Sequence, residues 1–307
     1  MEKCVILNER REMDMLYSGT IISLIATILL GGSIAPYDTA SIQEIPTVII
    51  EQEKKIPIAD PVEVPPQPTQ NNPLVGYDDR KSWWFSRNNT HTPPSAQHDI
   101  AIGKYDAYYL GDTQSKTIYL TFDEGYENGY TEQILDVLKE NDVQAAFFVT
   151  KSYIRDNPEL IKRMAAEGHI VGNHSVTHPD MTKLTSEQMA AEINDCAAYF
   201  KEVTGKEMPR FFRPPEGVYS IHSLEETQAQ GYKTIFWSFA YADWDVNKQP
   251  GKEGAYNMVM NNYHNGSIML LHAVSQSNTE ALPDIIKSLK EKGYTFMSLE
   301  DLPEQAL

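Results

Sequence analysis

TIYLTFDEGYENGYTEQILDVLKENDVQAAFFVT, residues 117–150, is the stretch whose reading decides the fold. Thr117–Phe122 is rich in β-branched and aromatic residues and reads as a strand. YTEQILDVLKEN (130–141) places Ile134, Leu135 and Leu138 at helical spacing, and VQAAFFVT (143–150) returns to strand character. A strand, a helix and a second strand in so short a span predict a parallel pair with a crossover helix.

The alternation continues toward the C-terminus. NPELIKRMAAEG predicts a helix capped by Asn157 with Pro158 in its first turn, HIVGN a short strand, and SEQMAAEINDCAAYFKEVTG a long helix ending at Gly205. RFFRPP, YKTIFWSF, SIMLLH and YTFMSL read as further strands. The intervening helices are SIHSLEETQAQG, a stretch around Gly254–Asn262, and ALPDIIKSLKEKG. About 190 residues for six to eight such units is short for a full eight-fold barrel, so the expected fold is α/β, a distorted or incomplete (β/α) barrel.

Toward the N-terminus the composition changes twice. LYSGTIISLIATILLGGSIA, residues 16–35, is uncharged and about the length that crosses a bilayer as a helix. Lys3, Arg10 and Arg11 in the preceding segment, 1–15, would keep that end in the cytoplasm and send the remainder across. Ser33-Ile34-Ala35 is a small-x-small site, so a cleaved signal peptide and an uncleaved anchor both remain open. Either way an extracytoplasmic location is expected, with the membrane met through this segment. Residues 36–75 are proline-rich and acidic and read as an extended linker. Residues 76–114, with the aromatic but irregular KSWWFSRNNTHTPP, are expected to pack as an extension on a catalytic domain spanning 115–307.

The whole chain of 307 residues has 41% hydrophobic residues, enough for a large core, and a formal net charge of −17. With no basic stripe to neutralise phosphates, nucleic acid is excluded as a partner; a neutral or cationic polymer suits the charge better. Two cysteines, Cys4 and Cys196, are too few for a disulfide framework.

The chemically suggestive residues fall just after strands. Asp123 and Glu124 follow TIYLTF, His174 and His178 follow HIVGN, Arg213 follows RFF, Asp243 and Trp244 follow the FWSF strand, and His272 ends SIMLLH. In a parallel barrel those ends share one face, so residues spread over about 150 positions can meet there. His-x-x-x-His can place two imidazoles on one side of a helical turn, aimed at one divalent metal, or be two polar residues in an ordinary loop. Adjacent carboxylates can divide the work of metal ligand and general base, or merely favour the N-terminus of the helix that follows. Arg213, stiffened by Pro214 and Pro215, offers a fork of donors to a carboxylate; on its own it could equally be a surface arginine. His272 could be a general acid or a satisfied core histidine. His91, His98, His169, His222 and His264 have no such context and read as structural.

Together, TFDEGYENGYT, HSVTH, RFFRPPEG, WSFAYADW and LLHAVS resemble, in order, the five motifs of the polysaccharide deacetylases of the NodB-homology type, carbohydrate esterase family 4. The resemblance covers about residues 115–300. GDTQSKTIYLTFDEGYENGYT, the KSWWFSRNN segment and LLHAVSQSNTEAL are similar to one branch, the delta-lactam-biosynthetic de-N-acetylases of spore cortex peptidoglycan. The resemblance implies Asp123 as general base, Arg213 as its tether and His272 as general acid. It implies His174, His178 and Glu124 as ligands of a divalent metal, with zinc the expected ion. Trp244 with Asp243, Tyr126, Pro214 and Pro215 would bind substrate. The family's usual second aspartate is Glu124 here, although the spore branch often carries asparagine at that position, and Ala240 stands where many members have aspartate.

The expected reaction is hydrolysis of the N-acetyl group of muramic acid in a glycan strand whose peptide an amidase has already removed, leading to the muramic delta-lactam. Two other readings stand beside it: a deacetylase of N-acetylglucosamine in peptidoglycan or chitin-like oligomers, and a wall-binding protein without catalysis. Retention of both Asp123 and His272 argues against the last, since a binder needs neither base nor acid.

Overall fold

A computed structural model describes residues 76–304 of the protein. The expected anchor at 16–35 and linker at 36–75 lie outside the described residues, among which no helix is long and apolar enough to cross a membrane. The N-terminal extension carries β1 (Lys81–Ser82), β2 (Phe85–Ser86), β3 (Ser95–Ala96) and β4 (Ala107–Tyr108). The alternation then runs β5 (Thr117–Glu124), α1 (Thr131–Glu140), β6 (Ala146–Val149), α2 (Lys151–Asp156), α3 (Pro158–Ala166), β7 (Ile170–Asn173) and α4 (Ser186–Thr204). It continues through β8 (Phe211–Phe212), β9 (Val218–Tyr219), α5 (Ile221–Ala229), β10 (Lys233–Ile235), α6 (Gly251–Met260), β11 (Ser267–His272), α7 (Gln276–Glu291) and β12 (Thr295–Phe296).

The main sheet has the order β11-β5-β6-β7-β8-β10-β4, with β12 also beside β5, and every pairing in it is parallel. Beyond β10 the chain comes round to β11 through a single bridge, Phe239 to Met269, where the Leu270 N–H donates to the Phe239 carbonyl at 2.8 Å. The result is the distorted barrel expected, curled through its long strands and joined by a bridge on its weak side.

Side-chain alternation along these strands builds two cores. Ile118, Leu120 and Phe122 of β5, Phe147 and Val149 of β6 and Met269 and Leu271 of β11 face the helices in the large outer cluster. Tyr119, Phe148, Ile235 and Ile268 point the other way and fill the barrel interior. Parity therefore tells which residues past a strand end face the mouth of the barrel.

The extension is more ordered than its sequence suggests. β1 pairs antiparallel with β9, β2 with β3, and β4 adds a parallel edge to β10. Trp83 stacks on Phe236 with centroids 4.6 Å apart, and its indole N–H donates to the Trp237 carbonyl at 2.8 Å. Trp83 and Phe85 share a buried cluster with Leu270, so the extension covers the side where the barrel is held by a bridge.

Local differences from the sequence reading have physical causes. Asn157 precedes α3 but makes no side-chain cap; its amide donates to Tyr153 O at the end of the preceding helix, α2, which the sequence does not announce. α7 begins at Gln276 rather than Ala281, because the Ser275 hydroxyl caps it from the Asn278 N–H, and Pro283 lies inside the helix instead of opening it. α4 ends as expected, with Gly205 at φ 72° supplying the left-handed turn.

Candidate active site

β5 ends at the barrel mouth with two carboxylates, and parity separates them. Asp123 shares the inward face with Tyr119, while Glu124 shares the outward face with Phe122. Asp123 receives Arg213 Nη1 on Oδ1 at 2.7 Å, and the arginine is fully buried. Arg213 is itself fixed: Nε donates to the Ile235 carbonyl at 3.0 Å, and the guanidinium lies over the Phe148 ring at 4.2 Å. Burial by itself would raise the Asp123 pKa; the Arg213 charge, helped by His174 and His272, overrides this and holds it below the ordinary carboxylate value. Asp123 is thus an ionised carboxylate with a fixed direction, as a general base requires.

His272 stands beside it. The two are register partners on β11 and β5, so their backbones lie about 4.8 Å apart in adjacent strands. Asp243 holds the imidazole, with His272 Nδ1 to Asp243 Oδ1 at 2.8 Å and the His272 backbone N–H donating to Oδ2 at 2.8 Å. Asn278 donates its amide to Oδ2 as well, and the Tyr241 hydroxyl donates to the Asn278 carbonyl oxygen. Burial pulls the His272 pKa down, but Asp243 outweighs it and the net shift is upward. The ring is 22% exposed, so a held, readily protonated imidazole reaches solvent at the mouth.

His174 and His178 come together as expected, with ring centroids 4.8 Å apart. They sit in an irregular loop and not on a helical turn: Ser175 and His178 are left-handed, at φ 70° and 57°. His174 Nδ1 is 2.8 Å from the Arg213 carbonyl, which can only accept, so Nδ1 carries the proton and the Nε2 lone pair faces Asp123 Oδ2 at 3.7 Å. Burial drives the His174 pKa down to about 4, leaving a neutral imidazole suited to a metal.

Glu124 does not join them. Among the described residues no three His, Cys, Asp or Glu side chains form a group able to hold a metal ion. Glu124 is fully buried, neither of its oxygens has a hydrogen-bond partner, and its electrostatic neighbours include Glu127 and Tyr153 on the helix side of β5. Parity is the reason: one carboxylate of an adjacent strand pair faces the mouth and the other faces the helices. The two imidazoles fit a divalent metal, and the expected third ligand is not brought to them.

Three of the expected substrate-binding residues also take other places. Asp243 has no exposed surface and is the tether of His272. Pro214 and Pro215 are buried and shape the loop behind Arg213. Tyr126, 54% exposed, and Trp244, 48% exposed, are on the surface, in the segments that follow Glu124 and Asp243. The structural reading holds for His169, whose Nδ1 accepts the Ala145 N–H, and for His91, stacked on Tyr263. Tyr241 and Asn278 lie within the quoted stretches WSFAYADW and LLHAVSQSNTEAL, yet escape sequence reasoning because nothing in the sequence shows that they converge on Asp243.

A buried Arg-carboxylate pair, a carboxylate-held histidine and two convergent imidazoles thus stand at the strand ends of one barrel. A family description, polysaccharide deacetylase, matches residues 110–235. Over 223 residues the chain is 51% identical to the Bacillus subtilis peptidoglycan-N-acetylmuramic acid deacetylase PdaA, covering 72% of this chain and 85% of the relative. The chain belongs to the polysaccharide deacetylase family. The structure of B. subtilis PdaA, a family 4 carbohydrate esterase, superposes with a TM-score of 0.72 at 50% identity, covering 73% of this chain and 97% of that one. A peptidoglycan-N-acetylglucosamine deacetylase of Bacillus cereus is 31% identical over 229 residues, 73% of this chain and 77% of its own. Deacetylases of this family are metal-dependent.

Proposed function

We propose that this protein removes the acetyl group from N-acetylmuramic acid in peptidoglycan, as its B. subtilis relative is named for doing. The observation that carries the reading is the pairing of Asp123, held ionised by Arg213, with His272, held by Asp243, as register neighbours at one barrel mouth. Asp123 takes the proton of the attacking water. His272 gives a proton to the amine nitrogen as the acetyl carbon leaves it as acetate. His174 and His178 would hold the metal, and we assign zinc, which imidazole nitrogens commonly ligate. When bound, such an ion supplies Lewis-acid polarisation of the acetamide carbonyl. Trp244 and Tyr126 offer apolar faces to sugar rings.

The muramic reading extends to the spore cortex. The freed amine there would close on the lactyl carboxyl of the same residue with loss of water, giving the delta-lactam, and proximity favours that ring. The glycan would arrive after an amidase has removed the peptide, and the catalytic domain would act outside the cytoplasm, tethered or released through residues 16–35. Acetate release by the full chain with added zinc tests the substrate. Release from amidase-treated peptidoglycan, and little from peptide-bearing glycan or chitooligosaccharides, is expected. Efficient turnover of chitooligosaccharides would shift the assignment to N-acetylglucosamine.

A further inference from the structure

The loop that carries both histidines holds a shape that its own residues do not favour. Ser175 and His178 are non-glycine residues in the left-handed region, at φ 70° and 57°, and such conformations persist only where surrounding bonds impose them. At its start, Ser175 N–H donates to Asn173 Oδ1 at 2.9 Å, and the His178 N–H returns to Ser175 Oγ at 2.9 Å. The middle, Val176 and Thr177, has no internal partner of this kind. It is taken up by one side chain from α4: Glu192 Oε2 accepts the Val176 and Thr177 N–H groups, each at 2.8 Å, and Oε1 accepts the Thr177 hydroxyl at 2.7 Å.

We propose that Glu192 is the positioning residue of the histidine pair, fixing the turn between His174 and His178 so that the two imidazoles converge. The inference rests on the reading of that pair as metal ligands. Glu192 bonds to neither imidazole; it acts through the two amides between them. A carboxylate accepting two N–H groups and a hydroxyl at once satisfies donors that a turn of this shape would otherwise leave to water. Its anchor is stiff, because α4 is itself tied to β7 by Asn173 Nδ2 donating to the Ile193 carbonyl at 2.8 Å. Outer partners of ligating histidines typically carry about ten- to a hundredfold of metal affinity.

The test measures zinc affinity by chelator competition on the metal-stripped full chain, together with amide exchange at residues 176 and 177. Glu192→Ala should weaken zinc about ten- to a hundredfold and speed exchange of both amides in the metal-free protein. Glu192→Gln keeps one oxygen for the two N–H groups and an amide for the Thr177 hydroxyl, so it should recover most of the affinity. Val259→Ala, in the buried face of α6, serves as the control for general loss of stability and should leave zinc binding unchanged. Equal zinc affinity for Glu192→Ala and the natural chain overturns the proposal alone, as does an equal loss from Val259→Ala. A natural chain that binds no zinc overturns the reading of the histidine pair, and this proposal with it.

Discussion

The two halves of the site are built to different standards of internal satisfaction. On the acid side every buried polar atom of Asp243 and Asn278 is engaged, and the chain of bonds runs from Tyr241 through Asn278 and Asp243 to His272. On the other side, among the described residues, Asp123 takes a single hydrogen bond, from Arg213, whose Nη2 is left without a partner, and the carboxylate next to the base has no bond from any described group. Buried polar groups cost free energy unless they are paired. The comparison teaches that proton transfer is written into protein-to-protein bonds, whereas the histidine loop and Glu124 are the parts whose roles depend on what else they meet.

The largest expected effect tests the base. Asp123→Asn keeps the shape and removes both the charge and the proton acceptor, so acetate release should fall about a hundred- to ten-thousand-fold. Retained activity would place the base elsewhere. The substitution also strands Arg213, which is fully buried, so folding is to be checked by circular dichroism before rates are compared.

The acid side should respond less, and with a direction. Asp243 raises the pKa of His272, so His272 stays protonated until the pH rises through that raised value, and the alkaline limb of kcat/KM should lie above the ordinary imidazole value of about 6.5. The base side works oppositely: Asp123 is held low, so the acid limb should lie below the ordinary carboxylate range. Asp243→Asn removes a charge-assisted bond of about 1.5–3 kcal/mol, roughly ten- to a hundredfold in rate, and should move only the alkaline limb, toward lower pH. An unmoved limb would show that Asp243 merely packs.

How much of this was legible follows from the range over which each residue acts. The parallel architecture was legible because period-2 and period-3.6 patterns alternate in Thr117–Thr150 and beyond, and strand-end residues could be gathered by one rule of barrels. Asp123, Arg213, His174, His178 and His272 meet as expected. What was not legible is direction. Glu124 and Asp123 look equivalent as neighbours in sequence, and only the pleat sends one inward and one outward. Asp243 reads as a substrate-binding residue beside Trp244, but the Asn278 amide and the His272 ring and backbone N–H enclose it. Glu192 lies in an ordinary helical run, and its role needs the loop brought to it through long-range packing.

A third test contrasts pH effects on stability with those on rate. His169 and His174 are both buried with pKa values pushed down to about 4. Between the ordinary value of about 6.5 and 4 the unfolded chain binds protons that the folded one does not. Stability is therefore lost as pH falls through that window, on the order of a few kcal/mol for the pair. Melting temperature measured from pH 7 to 4.5 should decline accordingly. His169→Asn, which keeps an acceptor for the Ala145 N–H, should flatten part of the slope without touching the site. A slope unchanged by that variant would assign the acid loss to other groups.

The smallest effect goes to the unpaired carboxylate itself. If Glu124 gains nothing from its surroundings, exchanging it for an apolar side chain of similar length removes a desolvation cost of roughly 1–3 kcal/mol, because no partner is left behind to suffer. Glu124→Met in the metal-stripped protein should therefore melt higher, by about 2–4 °C for each kcal/mol recovered in a domain of this size. Zinc affinity, measured in parallel, should change little if His174 and His178 hold the ion without it. A lower melting temperature would mean that Glu124 is bonded within the fold after all. A higher melting temperature with lost zinc binding would mean that the loop and β5 rearrange to bring Glu124 to the histidines, and the two halves of the site would then differ in mobility and not in wiring.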